Sequence, residues 1–455
     1  MNISAKTLIY AQLYIVMCIG LLIGAKVVPD TAIYITDLIN LILFVKIAQN
    51  SSCFYKLKIY TSLYPIIILS MLLGIALFSW IINGQSVAMF AWEFRSFFRY
   101  YIYFFSCVLF LNKKDIFKIL KILRIFLYSN FIVSVIQYFI FNITGDENGG
   151  LFGITTGVNA GVVLFCCIML SYYLLGYFKK YVNIKQLAIN LFIILSLSIL
   201  AEIKFLMYII LGFIILSIIM HFRSNRSKYL IGLSCIILLI GAFLILSFYS
   251  RKYFDNLFNA DTVTSYVNQE GGYNFDDGGL NRGIAISKIN DKFYYDNNIN
   301  KYIGFGLGSC SASTVIPTAF YAKYSYMAYH FFLTSYILLE QGWIGFILYV
   351  LFFISIIFAC FTIRKRFKNK FIFDFTIAVI LLAILNIWYN ASLRSNSAYL
   401  IYLVLAFPFI LYKEYILKFS KNEKSMCEYN RTGVQCRKIS RKMPHVFNRT
   451  IHLKY

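Results

Sequence analysis

Long apolar stretches separated by short polar interruptions are the main feature of the chain. Stretches such as Tyr64 to Ile82 and Tyr229 to Phe248 would be apolar on every side of a helix. A helix needs about 20 apolar residues to cross the hydrocarbon layer, whereas a membrane barrel strand alternates every second residue over about ten residues. The pattern therefore predicts an all-α fold, a polytopic transmembrane helical bundle of about twelve spans. The predicted spans are residues 7–25, 30–47, 60–82, 97–111, 117–141, 158–177, 186–201, 204–220, 229–248, 343–362, 371–389 and 398–416.

Composition agrees with this prediction and argues against a water-soluble protein. Hydrophobic residues make up 60% of the chain, while soluble domains contain roughly 45–50%. The first span has no small-residue cleavage site and another apolar stretch follows it, so we expect it to be retained. Residues 1–417 are predicted to form one transmembrane unit. Residues 418–455 are predicted to be a basic, disordered cytoplasmic tail, because they are polar and lack helical periodicity.

Basic residues are distributed unevenly between successive connections, which predicts the orientation. Lys and Arg collect in the cytoplasmic loops of membrane proteins. Connections after even-numbered spans are basic, as is the tail, whereas most connections after odd-numbered spans are short and poor in Lys and Arg. Both termini are therefore predicted to be cytoplasmic. The basic residues include Lys46, Lys56, Lys58, Lys113, Lys114, Lys118, Lys121, Arg124, Lys179, Lys180, Lys185, Arg223, Arg226, Lys228, Arg364, Lys365, Arg366, Lys368 and Lys370.

The net charge of +24 is interpreted as part of this topology signal. Basic residues near a membrane are also attracted to anionic lipid. Because these residues are scattered over separate loops and do not form one basic face, nucleic acid is not predicted as a partner. Most of the ten cysteines lie inside spans, and no Cys or His spacing resembles a set of metal ligands. Neither a metal nor a cofactor is predicted.

One predicted outer connection, residues of about 251–329, is far longer than ordinary connections. Loops of that length are usually functional or disordered. A returning helix of about 326–341 is predicted to follow it into the membrane. The glycine-rich stretch IGFGLGS lacks the flanking strand and helix of a phosphate-binding loop, so it is interpreted as a tight turn that a lipid-linked substrate could approach closely. The candidate residues of this region are Arg282, Gly304, Gly306, Gly308, His330 and Glu340.

Charged residues near the predicted outer ends of spans are a second group of candidates, because charge is costly there and usually marks a site. Arg95 and Arg99 are four residues apart and share a helix face, which suits bidentate binding of a diphosphate. The alternative is that they extend to the membrane interface. Glu202 and Lys204 lie in the break between the seventh and eighth spans, where an exposed ion pair is the alternative. Asp37 appears isolated in the middle of a span, with a packing or cation-binding role open.

His330 is the outward-facing histidine of the predicted topology. A histidine can serve as a proton acceptor near neutral pH. A solvent-exposed or capping histidine is the alternative interpretation.

The order of these features resembles the bacterial O-antigen polymerase and O-antigen ligase superfamily. The shared features are about twelve spans, a large outer loop before the last three, an early Arg, a GFGLGS-type turn, and a His followed by a Leu-Leu-Glu-Gln-Gly-type helix. In this chain they are Arg282, Gly304 to Ser309, His330 and Leu338 to Gly342, with an AEIK turn at residues 201–204. Ligases typically have Asn directly after the loop histidine, whereas Phe331 stands here, which favours a polymerase.

The resemblance implies a metal-independent, inverting glycosyltransferase in a bacterial cytoplasmic membrane. Such an enzyme joins oligosaccharide repeat units carried by undecaprenyl diphosphate at the outer face, for O-antigen, capsule or exopolysaccharide. It implies His330 and Arg282 as catalytic residues, with Glu340 or Glu202 as alternative proton acceptors. Further implied partners are membrane lipids, a chain-length regulator and a flippase. The residues expected to bind the diphosphate or sugar are Arg95, Arg99, Glu202, Lys204, Gly304, Gly306, Gly308 and Glu340.

Two other functions fit the same topology. A ligase would use the same chemistry with a different acceptor. A flippase or other transporter of lipid-linked oligosaccharides would also have many spans, but transporters tend to contain two related halves and charges near the bilayer midplane. The halves of this chain do not resemble each other, so transport is ranked below transfer.

Overall fold

The computed structural model describes residues 3–220, 225–248, 279–296, 298–313 and 315–431. All regular secondary structure in these residues is helical, which agrees with the predicted fold class. The first ten helices are α1 Ala5–Gly24, α2 Ile35–Ala48, α3 Ser51–Thr61, α4 Leu63–Ile82, α5 Val87–Phe110, α6 Lys113–Phe139, α7 Asn159–Phe178, α8 Ile184–Leu200, α9 Lys204–Met220 and α10 Asn225–Phe248. They are followed by α11 Ala285–Phe293, α12 Asn300–Ile303, α13 Ala319–Tyr324, α14 Leu333–Arg364, α15 Phe371–Tyr389 and α16 Ala398–Arg431.

Eight helical segments of the described chain are long and apolar enough to cross a membrane. They comprise α1, α2 with the short turn before it, α4, α6, α7, α14, α15 and α16 as far as Ser420. The apolar helices α8 and α9 are shorter. The remaining predicted spans, 97–111 and 229–248, lie on α5 and α10.

Local capping signals explain where several helices begin. Asn112 and Asp115 form a reciprocal capping box at the start of α6, and Asn183 forms one with Gln186 at the start of α8. Such caps satisfy backbone N–H groups that have no partner within the helix. The helix α5 begins at Val87, ten residues before the predicted span, because the Ser86 hydroxyl caps it by accepting the Met89 N–H.

The centre of the bundle is formed by α7 and α16. Their apolar windows are 94% and 72% buried, compared with 28% for α2 and 22% for α4 at the periphery. A second, smaller core lies in residues 280–339 and includes Leu280, Ile289, Tyr329 and Leu339. The described residues of 279–332 therefore pack as a small folded unit on the bundle. We call this unit the cap.

Contacts divide the connections of the bundle into two groups. At one end, which we call the site end, the Asn83 amide donates to the Gly304 carbonyl, and Arg394 forms an ion pair with Glu93. At the opposite end, the Lys113 N–H donates to Glu414, and Lys179 forms an ion pair with Asp374. Connections predicted to be on the same membrane face thus contact one another.

Two predicted segments differ from the structure. The returning helix begins at Leu333, later than the predicted position of about 326, because residues 325–331 form two short 3-10 turns with Ala328 in the left-handed region. The helix α16 continues to Arg431, past the predicted start of the disordered tail at residue 418. Residues 249–278 of the predicted loop and residues 432–455 of the tail lie outside the described residues.

Candidate functional site

The two motifs of the cap region bind each other through a break in α14. Gly342 has backbone angles of φ 61° and ψ −168°, so the helix is interrupted there. The carbonyls of Leu339 and Glu340 instead accept the N–H groups of Phe305 and Gly306, at 2.8 and 3.0 Å. Buried backbone groups of a broken helix require such partners. The GFGLGS turn and the Leu-Leu-Glu-Gln-Gly segment therefore form one structural unit.

The glycines of this unit allow the chain to approach itself closely. A Cβ on Gly304 would lie 2.3 Å from the Gln341 nitrogen, and one on Gly308 would lie 2.4 Å from the Met89 carbonyl oxygen. On Gly306 it would meet the Gln85 side chain at 2.5 Å. The sequence predicted that a substrate would approach these glycines closely. In the structure, Gln341, Met89 and Gln85 of the chain itself lie next to them.

We expect Gly304→Ala to destabilise the fold. Its backbone angles, φ 73° and ψ 179°, fall in a region that is nearly exclusive to glycine, and strain of this kind costs about 1–3 kcal/mol. The steric conflict with α14 adds to that cost. The measurement is thermal unfolding of the purified protein in detergent, with Gly74→Ala as a control. A Cβ on Gly74 meets nothing within 4 Å, so the control should be neutral or slightly stabilising. Equal melting temperatures for the two variants would contradict the expectation.

A cavity of about 370 Å³ opens at the site end, where α5, the cap, α14, the turn before α2 and the connection between α15 and α16 meet. Its volume lies in the range of small-ligand sites. Side chains that can carry charge, donate hydrogen bonds or stack on a ring converge on it. The lining residues are Tyr34, Trp92, Glu93, Arg95, Ser96, Ser311, Ala312, Ser313, His330, Tyr336, Ala391 and Arg394.

A buried ion pair between Arg394 and Glu93 lies in the cavity wall. The side chain of Arg394 is 15% exposed and that of Glu93 is 3% exposed. The guanidinium stacks on the Tyr336 ring at 3.2 Å, and the Ser311 hydroxyl donates to Glu93 at 3.3 Å. The Arg394 Nη1 atom is buried and has no hydrogen-bond partner among the described residues. This arginine therefore retains hydrogen-bonding capacity at the wall.

Glu340 is a second buried carboxylate close to this pair. It accepts the Gly308 N–H at 3.1 Å and is 1% exposed. Sequence reasoning assigned Glu340 to substrate binding, but it does not line the described cavity. In the structure it holds the GFGLGS turn against α14.

Asp37 is not isolated, contrary to the sequence interpretation. It lies in the first turn of α2 and forms ion pairs with both Arg95 and Arg99 of α5. Arg99 also donates to the Tyr100 hydroxyl at 2.7 Å and to the Arg394 carbonyl at 3.1 Å. Its side chain is 11% exposed. Arg99 therefore connects α2, α5 and the segment before α16.

Arg95 has a different environment from Arg99. Its side chain is 30% exposed and lines the cavity. The guanidinium carbon lies 4.1 Å from the centre of the Trp92 ring and 5.1 Å from that of Tyr34. A guanidinium over an aromatic face is attracted by the ring quadrupole. The three side chains form a cationic and aromatic wall that could contact an anion and a sugar ring.

His330 lines the cavity from the cap. The rings of Tyr321, Tyr329 and Phe331 surround it, with centroids 5.3, 5.9 and 4.2 Å away. Burial lowers the pKa of His330 below its ordinary value of 6.5, because the surrounding apolar groups disfavour the charged form. Burial therefore favours the neutral form of the imidazole, which can accept a proton.

The remaining predicted residues lie outside the cavity lining. Arg282 is buried, donates to the Tyr389 carbonyl at 3.1 Å and stacks on the Tyr389 ring. That ring stacks on Phe205, which follows Lys204 at the start of α9. Glu202, in the break before α9, lies about 3.3 Å from the Cβ position of Gly145. Arg282 therefore connects the cap to the end of α15, beside the cavity.

Sequence reasoning missed Glu93 and Arg394, although both left a signal. Glu93 is an acidic residue in the apolar sequence AMFAWEFRSFF, but it lay outside the predicted span of 97–111. Arg394 is a basic residue in a connection predicted to be on the outer face, where the positive-inside rule predicts few. A charge that departs from the local pattern is costly to place and so indicates a site.

No protein-family model matches this sequence, and no curated protein matches it either.

Proposed function

We propose that the chain is a polysaccharide polymerase that joins oligosaccharide repeat units carried on undecaprenyl diphosphate. The observation that carries the proposal is the convergence of His330, Arg95 and Arg394 on one cavity at the end of a helical bundle. A neutral base can take the proton of an acceptor hydroxyl, and guanidiniums can stabilise the negative charge of a leaving diphosphate. The resemblance of the motif order to the O-antigen polymerase superfamily supports the same activity.

The proposed reaction is a single displacement. The hydroxyl oxygen of the acceptor sugar attacks the anomeric carbon of the donor while His330 takes the hydroxyl proton. The bond between the anomeric carbon and the phosphate oxygen breaks, and the diphosphate leaves on its lipid with the bonding electron pair. One displacement inverts the anomeric centre. The donor chain is thereby transferred to the repeat unit on the second lipid.

Arg95 and Arg394 are proposed to stabilise the leaving diphosphate. Negative charge develops on the bridging phosphate oxygen as the bond breaks, and fixed hydrogen-bond donors stabilise such charge strongly. A charge-neutralised diphosphate needs no acid to protonate it, in contrast to the leaving group of a hydrolytic glycosidase, which two carboxylates generally serve. Glu93, bound to Arg394 and Ser311, is proposed to position the guanidinium.

The proposed topology has twelve spans, with α5, α8, α9 and α10 crossing in addition to the eight apolar segments. The 24 residues of α5 correspond to a length of about 36 Å, enough for a hydrocarbon layer of about 30 Å. Its three charged residues are all paired. The site end is proposed to face outward, with both termini in the cytoplasm, because the basic connections lie at the opposite end.

Cysteine labelling tests this orientation. Tyr295, on the cap, is 74% exposed, and Lys368, between α14 and α15, is also exposed. In a cysteine-free background, Tyr295→Cys should react with a membrane-impermeant maleimide in intact bacterial cells. Lys368→Cys should react only after the membrane is opened. The opposite pattern would contradict both the orientation and the polymerase proposal.

The activity itself is tested with purified protein in liposomes that contain the lipid-linked repeat unit of its host. A polymerase should yield products that grow in steps of one repeat and should release undecaprenyl diphosphate. A ligase would instead transfer the glycan to an acceptor that is not a lipid-linked repeat unit. Movement of intact repeat units across the bilayer without new glycosidic bonds would indicate a flippase. The ligase result and the flippase result would each refute the polymerase proposal.

A further inference from the structure

The exposed face of α6 carries a line of lysines that continues into a line of apolar side chains. Lys114, Lys118 and Lys121 are exposed, at spacings of four and three residues that place them on one face of the helix. The same spacing continues with exposed apolar residues toward the site end. These are Ile125, Ile132, Ile136 and Phe139, which are 54%, 57%, 38% and 54% exposed. We call the whole face the lysine stripe.

The length of α6 agrees with a position in the headgroup layer for the lysines. Its 27 residues correspond to about 40 Å, whereas the hydrocarbon layer is about 30 Å thick. The excess of about 10 Å equals the rise from Lys114 to Lys121, seven residues apart. When the apolar part of the stripe lies in hydrocarbon, the lysines lie at the level of lipid phosphates.

The acidic residue that lies between Lys114 and Lys118 in the sequence is already engaged elsewhere. Asp115 is 2% exposed and binds Lys6 at 2.6 Å and the Tyr10 hydroxyl at 3.0 Å. It also accepts the Asn112 N–H at 2.9 Å as part of the capping box. No carboxylate of the described residues therefore forms an ion pair with the three stripe lysines.

Lys118 is also held in a defined position. Its ammonium lies 4.8 Å above the ring of Tyr10 in α1, which limits the freedom of an otherwise flexible side chain. Lys121 lies on the adjacent turn, so a phosphate between the two ammonium groups would contact both. The acyl chains of the same molecule would then extend along the isoleucines of the stripe.

We propose that the lysine stripe binds an anionic membrane phospholipid, with its phosphate on Lys118 and Lys121 and an acyl chain along Ile125 and Ile132. Charge complementarity and the continuity between the basic and apolar parts favour a lipid over a soluble anion. The proposal is independent of the glycosyltransferase activity, because the stripe begins at the end of the bundle opposite the cavity.

The proposal is tested by native mass spectrometry of the purified protein in micelles doped with phosphatidylglycerol or phosphatidylcholine. Lys118→Gln combined with Lys121→Gln should weaken phosphatidylglycerol binding about 30-fold, since each basic residue near an anionic surface contributes a factor of about five. Phosphatidylcholine binding should not change. The matched control combines Lys292→Gln with Lys323→Gln, which removes the same charge from exposed positions of the cap, at the opposite end of the bundle. It should change binding by less than about twofold.

Several results would overturn the proposal. If the control variant weakens phosphatidylglycerol binding equally, only net charge matters. If neither variant weakens it, the lysine stripe is not the binding site. Amine acylation of the unaltered protein provides a second measurement that does not depend on a variant folding. Phosphatidylglycerol, but not phosphatidylcholine, should protect Lys118 and Lys121. Absence of protection, or protection that accompanies a doubling of mass by a second copy of the chain, would exclude the lipid as the occupant.

Discussion

His330→Ala is expected to lower the rate of sugar transfer by about 10²–10⁴-fold, the range for removal of a general base. The reason is that the neutral imidazole is the proton acceptor proposed for the acceptor hydroxyl, and the substitution leaves none in its place. The rate is measured under single-turnover conditions with lipid-linked repeat units in liposomes. The fall should appear in the rate constant at saturating substrate and leave substrate binding nearly unchanged.

The dependence of the rate on pH gives a second readout for His330. Burial lowers the pKa of this histidine below 6.5, and the base must be unprotonated to act. The rate should therefore fall as the pH drops through a value below 6.5 and level off above it. Because the pKa of His330 is lower in the folded protein than in the unfolded chain, protonation favours unfolding. The folded state is therefore most stable, with respect to this group, above about pH 6.5, and it loses that stability as the pH falls through the folded-state pKa.

The controls for His330 separate its role as a base from folding and from stabilisation of the leaving diphosphate. Its Nδ1 atom has no hydrogen-bond partner among the described residues, so His330→Ala should lose only ring contacts and remain folded, which thermal unfolding checks. Arg95→Ala should also lower the rate constant, because Arg95 is proposed to stabilise the leaving diphosphate, but the fall of the rate at low pH should remain, since His330 is intact. If the residual rate of His330→Ala still falls at low pH, another group must be responsible for that dependence. This result would contradict the role of the histidine as the base.

Arg394→Met is expected to destabilise the protein by about 3–5 kcal/mol, the usual effect of removing one member of a buried ion pair. The substitution leaves the carboxylate of Glu93, which is 3% exposed, without its cation, and it removes a positive charge near Glu340. The measurement is the free energy of unfolding in detergent. The double variant Glu93→Gln with Arg394→Met should be more stable than the sum of the single effects by about 1–3 kcal/mol.

Arg95→Met serves as the matched control for Arg394→Met. Both substitutions remove a guanidinium from the cavity wall, but Asp37 would keep Arg99 as a partner. The control should therefore cost about 1 kcal/mol or less, as for partly exposed pairs. Strictly additive effects of Glu93→Gln and Arg394→Met, or equal losses for the two arginines, would show that the buried pair is not coupled as described.

Arg282 is the arginine that the sequence motifs predicted to be catalytic, whereas Arg394 is an arginine that lines the cavity. Motif order pointed to Arg282, which lies in the cap and binds the Tyr389 carbonyl. Arg394 follows Tyr389 by five residues along the chain and lines the cavity. Arg282 therefore contributes to the alignment of the segment that carries Arg394. Its substitution would affect the cavity through this segment.

The amino-acid sequence by itself determined the helical class, the apolar segments and the neighbourhood of two site residues. Apolar stretches long enough to cross a bilayer can satisfy their backbone groups only as helices or closed barrels, and the lack of alternation excluded a barrel. Arg95 was a candidate because charged residues near the ends of spans are costly. His330 was a candidate because it is the outward-facing histidine of the predicted topology, and both residues line the cavity. These signals are local, so they can be read without knowing which segments pack together.

Only the tertiary structure decided which distant residues form the site. Asp37 pairs with arginines that lie 58 and 62 positions further along the chain, and Glu93 pairs with an arginine 301 positions away. No helical or strand period relates residues at such separations. Ion pairing and burial arise from helix packing, which brings α2, α5, the cap and the segment before α16 to one end of the bundle. For this reason the pairing of Glu93 with Arg394, and their place in one cavity, follow only from the tertiary structure.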